Sequence, residues 1–121
     1  INMLVRKGLA DPSQMATMGW SYGASLALSV AARSKRISSV VAVAPVADWT
    51  SIFGARSYPA LSSEYFSSEL WEDRSPYDEA SPISRINRIQ SPVLFLHGGE
   101  DKRVPLEQSR LLFRMLKAHV I

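Results

Sequence analysis

An α/β fold with a parallel sheet is the architecture this sequence predicts, and three observations predict it. Short apolar runs, "QMATMGW", "ISSVVAVAP" and "VLFLHG", read as three strands. "ISSVVAVAP" is apolar and β-branched at consecutive positions, the pattern of a strand buried on both faces, and such strands belong to parallel sheets. Helix-forming stretches alternate with these runs, and alternation of this kind builds a parallel sheet with flanking helices.

Each element follows in order. Ile1, Leu4, Val5 and Leu9 fall at helical spacing, so the chain opens in the last turns of a helix, which Gly8 and Asp11-Pro12 end. The first strand, "QMATMGW", runs into "YGASLALSVAARS", whose Ala and Leu content favours helix. Lys35 and Arg36 close that helix where cations suit its carbonyl end. After the second strand the pattern loosens, and residues 46–80 carry Trp49, Phe53, Tyr58, Tyr65, Phe66, Trp71 and Tyr77. That is too aromatic for a disordered linker and predicts a folded excursion with short helices. Ile83, Ile86 and Ile89 in "PISRINRI" recur every three residues, a short helix that Ser91-Pro92 breaks. "VLFLHG" is a third buried strand, and Gly98 and Gly99 turn the chain. "VPLEQSRLLFRMLKAHV" reads as the last helix, with Pro105 in its first turn and Leu111, Leu112, Met115 and Leu116 on its apolar side.

Bulk properties narrow the function classes. The 121 residues are enough for one small domain with one core, and a 46% hydrophobic composition is globular. No apolar run approaches the ~18 residues of a membrane span. No secretory signal is visible. The net charge of +3 is spread over scattered basic residues without aromatic interleaving, a solvated surface rather than a nucleic-acid face. The chain has no cysteine, which excludes disulfides, cysteine zinc sites and cysteine nucleophiles; it is compatible with a reducing compartment and fixes none. No residue pattern asks for a metal or a cofactor. The first residue is Ile and the last residues, "LKAHVI", stop inside an amphipathic pattern. Both ends read as cut, so residues 1–121 are expected to be part of a longer domain. Sheet edges bared in that way would leave room for a partner chain, and the oligomeric state stays open.

The chemistry gathers at two turns. "GWSYG" places Ser21 where a strand becomes a helix, with Gly19 and Gly23 two residues away on either side. A serine hydroxyl is a weak nucleophile until a base takes its proton. It must also stand clear of the backbone and face N–H groups that can hold an oxyanion. A Gly-x-Ser-x-Gly elbow meets these needs: the glycines remove Cβ atoms where strand and helix crowd, and the Tyr22 N–H lies at a helix N-terminus, where it can donate. The competing reading is a helix N-cap serine in a glycine-rich turn. The second turn, "LFLHGGEDKRVP", carries Glu100 and Asp101 at the end of a strand, where the sites of open α/β sheets lie. Chemistry alone leaves both carboxylates open as the acid of a triad.

Taken together, these residues resemble the catalytic domain of the prolyl oligopeptidase family of serine peptidases, which includes acylaminoacyl and dipeptidyl peptidases. "DPSQMATMGWSYGA", "VAVAPVADW" and "SPISRINRIQSPVLFLHGGEDKRVPLEQSRLLFRMLKA" follow its pattern in order, over nearly the whole chain. The resemblance implies a partial α/β-hydrolase fold and a peptide substrate hydrolysed through an acyl-enzyme. It implies Ser21 as nucleophile, Asp101 rather than Glu100 as acid, and the Tyr22 N–H as an oxyanion donor. Val46 and Val104 match positions that line the family's specificity pocket, and Trp20 beside the nucleophile either borders that pocket or packs behind the elbow.

The sequence departs from the family at three points. Ala24 stands where Gly is common. Ile52 and Arg56 stand where the dipeptidyl branch has tyrosines, which speaks against dipeptidyl specificity. The family's catalytic histidine lies one helix and one strand past the acid, beyond Ile121. His97 sits in the strand before the acid and reads as structural, and His119 is too close behind the acid to serve. The peptidase is therefore expected to be active only with further chain, and the 121 residues alone to be inactive. A carboxylesterase on the same fold and an inert hydrolase-like binding module are the alternatives.

Overall fold

Three parallel strands in the order β1-β2-β3 form the sheet of the computed structural model, which describes residues 1–53 and 65–119. Strand β1 is Met15–Trp20, β2 is Ile37–Val43 and β3 is Val93–Leu96. Helix α1, Asn2–Arg6, precedes the sheet. It ends as its glycine predicts: Gly8 takes φ +68°, its N–H donates to Val5 O at 3.0 Å, and Leu9 N–H donates to Leu4 O at 2.9 Å. These two bonds satisfy carbonyls that the helix end would otherwise leave open.

Helix α2, Tyr22–Arg33, joins β1 to β2. Its buried stripe is Ala24, Ser25, Ala27, Leu28 and Ala31, and the small residues bring the helix close onto the sheet. Between β2 and β3 lie α3, Trp49–Phe53, and α4, Ser75–Ala80, the short helices expected in the excursion. Arg56, Tyr58 and the rest of 54–64 lie outside the described residues. Pro82–Arg88 is a 3-10 helix. The three-residue recurrence of Ile83, Ile86 and Ile89 is the period of that helix, so the expected element has the tighter form. Helix α5, Glu107–His119, follows β3 and begins two residues after Pro105.

The core lies between one sheet face and the helices. Val40 and Ala42 of β2 meet Leu28 of α2, Ile86, Ile89 and Leu112 of α5 there. Along β2, the strand expected to be buried on both faces, no apolar residue is exposed; within these 121 residues its neighbours are less covered on the opposite face. Met18 and Trp20 are 73% and 75% exposed, and Leu94 and Leu96 are 55% and 48% exposed. Burial alternates along β1 and β3 because α2, the 3-10 helix and α5 all pack on one side. Among the described residues, no helix is long and apolar enough to cross a membrane.

Register positions the site. Trp20 pairs with Val43, and Val43 with Leu96, so the three strands end level. The segments that follow them, starting at Ser21, Ala44 and His97, leave from one row at the carboxyl edge.

Candidate active site

Ser21 occupies a backbone conformation that side chains avoid, with φ 55° and ψ −124°. Such a residue costs about 1–3 kcal/mol and persists only where its surroundings over-determine it. Here they do. The Ser21 N–H donates to Val43 O at 2.8 Å, and the Ser21 carbonyl accepts from Ala24 and Ser25 N–H at 3.0 and 3.3 Å. The elbow's glycines are unequal. A Cβ on Gly19 would lie 2.1 Å from the Gly23 oxygen, whereas a Cβ on Gly23 would meet nothing within 4 Å. The crowding expected on both sides of the serine is therefore one-sided: strand residue 19 runs directly against the first turn of α2. Ala24, fully buried, fits where Gly was the family's common choice.

Tyr22 is the first residue of α2, so its N–H belongs to the first turn, whose donors have no partner within the helix. Its ring packs edge-on against Trp49 at 5.7 Å.

The acid loop is pinned from within. Asp101 Oδ1 accepts from the N–H of Arg103 at 2.8 Å and of Val104 at 2.9 Å. The Val104 N–H is the largest influence holding the Asp101 carboxyl below its ordinary value; partial burial opposes it, and the Arg103 N–H with the proximity of His97 and Arg103 reinforces it. His97, its side chain 3% exposed, lies behind this loop. Its Nδ1 is 2.6 Å from Ser109 Oγ on α5 and its Nε2 is 2.8 Å from Val104 O. His119, in the last turn of α5, is exposed.

Trp20, Ser21, Ala44, Asp101, Arg103 and Val104 line one recess of about 300 Å³ at the carboxyl edge. That volume is at the lower end for small-molecule sites, roughly 300–1,000 Å³. Ser21 and Asp101 are thus brought to one cavity, and Glu100, exposed, stands outside its lining. Trp20 borders the cavity from the open sheet face and does not pack behind the elbow. Ala44 was not singled out in the sequence. It has φ 47°, and no sequence signal could have found it, because a residue before proline is biased toward extended backbone.

Val46 and Val104 come together in a second cluster with Trp49, Ile52 and Tyr77, all buried, and with Phe53, Phe66, Leu70 and Ala80 packed against them. Val104 faces both this cluster and the cavity; Val46 lies behind, among the cluster's buried residues. Ser25 ties Val46 to α2: its hydroxyl donates to Val46 O at 2.8 Å and accepts from Val46 N–H at 3.1 Å. Gln108, buried on α5, accepts from the N–H groups of Ala47 and Asp48 at 2.9 and 3.0 Å. Gln108 and Ser109 therefore clamp both loops that flank the cavity. On α5 they take buried places beside Leu112, while Leu111, expected on the apolar side, is 37% exposed. Among the described residues, no three His, Asp or Glu side chains come together as metal ligands would.

Comparison with known proteins adds a family to this geometry. The sequence model of the Prolyl oligopeptidase family matches residues 1–120. The acylamino-acid-releasing enzyme of Arabidopsis thaliana is 30% identical over 132 residues, which cover 97% of this chain and 16% of that protein. A puromycin-hydrolyzing peptidase of Mycobacterium tuberculosis superposes with a TM-score of 0.84 at 27% identity, over 98% of this chain and 18% of its own. An acylaminoacyl peptidase of Pyrococcus horikoshii superposes with a TM-score of 0.86 over 98% of this chain and 20% of its own, at 19% identity, a likeness of fold alone. The three parallel strands are those of the expected α/β-hydrolase fold. The chain spans between 12% and 16% of the length of the curated relatives it matches.

Proposed function

Since the chain belongs to the prolyl oligopeptidase family, we propose that it carries the nucleophile and acid of a serine peptidase. Ser21 is the nucleophile, Asp101 the triad acid and the Tyr22 N–H one oxyanion donor. The observation that carries this reading is the single recess lined by both Ser21 and Asp101, with the serine held in a strained elbow at its edge. Both nitrogens of His97 are engaged and His119 is exposed. We take the base to be the histidine that the family resemblance implies elsewhere in the full polypeptide.

The chemistry follows from these roles. The base takes the Ser21 hydroxyl proton as Oγ attacks the substrate carbonyl carbon, and the resulting oxyanion accepts from the Tyr22 N–H. The base then gives that proton to the leaving amine as the C–N bond breaks, and water releases the acyl group by the same steps in reverse. Asp101, kept ionised by its backbone donors, orients the imidazole and stabilises its charged form through Oδ2, because Oδ1 is committed to the loop. The cluster behind Val104 supports an apolar side chain next to the scissile bond, with Trp20 at the rim. The relatives whose names speak of releasing acylamino acids favour N-acylated peptides as the substrate class.

A fluorophosphonate probe tests the assignment in the full polypeptide that carries these residues. Labelling is expected, and Ser21→Ala abolishes it; labelling that survives Ser21→Ala refutes the nucleophile. Turnover of N-acetyl-phenylalanine p-nitroanilide is expected alongside that of p-nitrophenyl acetate, and turnover of the ester alone would make the protein a carboxylesterase. The isolated 121 residues are expected to be inactive, since loss of a triad histidine costs about 10⁶ in kcat.

A further inference from the structure

A buried imidazole to which the proposed chemistry gives no part holds the acid loop in place. Val104 O can only accept, so His97 Nε2 carries a proton and donates to it, while Nδ1 shares a hydrogen bond with the Ser109 hydroxyl. Both ring nitrogens are satisfied. The contacts close a ring at Val104: its N–H donates to Asp101 Oδ1 while its C=O accepts from His97. His97 Nε2 also lies 3.8 Å from Asp101 Oδ2, on the carboxylate's free side. Ser109 is buried on α5, so the far end of the imidazole is anchored to a core helix.

We propose that His97 is a positioning residue that fixes the acid and the pocket wall as one unit, setting the direction of the Asp101 carboxylate and the place of the Val104 side chain through the main chain of Val104. This rests on Asp101 being the triad acid. A residue that merely filled core volume would need neither ring nitrogen. Here each nitrogen is spent, one on the carbonyl of the residue whose N–H binds the acid and one on the helix that clamps the opposite loop through Gln108.

The test is a mutant cycle in the full polypeptide, with N-acetyl-phenylalanine p-nitroanilide turnover and fluorophosphonate labelling as readouts. His97→Phe keeps a ring and removes both hydrogen bonds. It is expected to lower kcat by about 10- to 100-fold, as misplacement of a catalytic group by ~1 Å does, and to raise KM through Val104. His97→Gln, whose amide N–H can replace Nε2, is expected to recover most of that loss. In an Asp101→Ala background, His97→Phe is expected to change kcat little further, because residues that act as one unit are not additive. Ser109→Ala gives a smaller loss that vanishes in the same background, and it serves if His97→Phe does not fold. Equal losses with and without Asp101, or a Gln variant as poor as Phe, overturn the inference while Ser21-dependent labelling stands. If labelling does not depend on Ser21, the active-site reading falls and the inference falls with it.

Discussion

Replacing Gly19 and Gly23 with alanine, one at a time, separates two glycines that look equivalent in the motif. At position 19 the new Cβ would sit 2.1 Å from the Gly23 oxygen, 2.2 Å from its carbonyl carbon and 2.7 Å from the Ala24 nitrogen. The two contacts to the Gly23 carbonyl are more than 1 Å short of ordinary contact at 3.4 Å, and every atom the Cβ strikes is main chain. No rotamer change can relieve it. Strand or helix must move, and α2 is anchored through Ala24 and Leu28, both fully buried. Overpacking costs about 1–3 kcal/mol where side chains can adjust, and this case belongs at or above the top of that range. Gly19→Ala is thus expected to lose about 3 kcal/mol or more in urea denaturation followed by tryptophan fluorescence. Fluorophosphonate labelling should slow by about 100-fold as the elbow shifts. At position 23 the Cβ meets open space and the residue lies in the first turn of a helix. Alanine there is favoured over glycine by about 0.5–1 kcal/mol, so Gly23→Ala should be neutral to stabilising, with labelling retained. Equal damage at the two positions, or a tolerated Gly19→Ala, would refute the one-sided crowding.

Three further predictions come from the segments around the cavity. Asp101→Asn reports the carboxylate's charge: the folded value lies below the ordinary one, so ionised Asp101 contributes stability above the unfolded pKa of about 3.9 and loses it as pH falls through the lower folded value. Thermal melts should show the parent more stable than the Asn variant near neutral pH, with the gap closing below about pH 4; a gap that widens in acid contradicts this. Gln108→Leu strands the N–H groups of Ala47 and Asp48, each worth about 1–3 kcal/mol when buried unpaired. Denaturation should register a loss of about 2–4 kcal/mol, less than two full penalties because the Asp48 N–H is only partly buried. Ala44→Val places a β-branched side chain at φ 47° and should cost more than about 1–2 kcal/mol, while Ala44→Gly should not destabilise.

The strands, the elbow and the acid turn were legible because each is written in neighbouring residues: apolar runs, glycines at fixed offsets, carboxylates after a strand. What covers those strands was not. The consecutive apolar residues of β2 mark a covered strand without naming what lies on it, and the structure sets α2, the 3-10 helix and α5 against Val40 and Ala42. Gln108 and Ser109 escaped for a different reason. A polar pair at the start of an amphipathic helix reads as solvent-facing, and only the tertiary structure sets it against Ala47 N–H and the His97 ring. His97 read as structural; its ring contacts are all long-range or across the loop, so no local pattern could show which groups it serves.

Register explains why the residues that matter are these ones. Trp20, Val43 and Leu96 form one row, so Ser21, Ala44 and His97 are equivalent first residues beyond three level strands. The ladder runs one step further than the strands do. Ser21 N–H donates to Val43 O and Ala44 N–H donates to Leu96 O, each at 2.8 Å. Those two residues are also the ones among the described non-glycine residues with positive φ. Each strained turn is thus held by the last carbonyl of the next strand, and β3, at the end of the series, hands over to His97, held instead by Ser109 and Val104. Slipping a strand by one residue would exchange its faces and move its carboxyl end by about 3.3 Å. The cavity shared by Ser21 and Asp101 therefore depends on sheet register as much as on the identity of either residue.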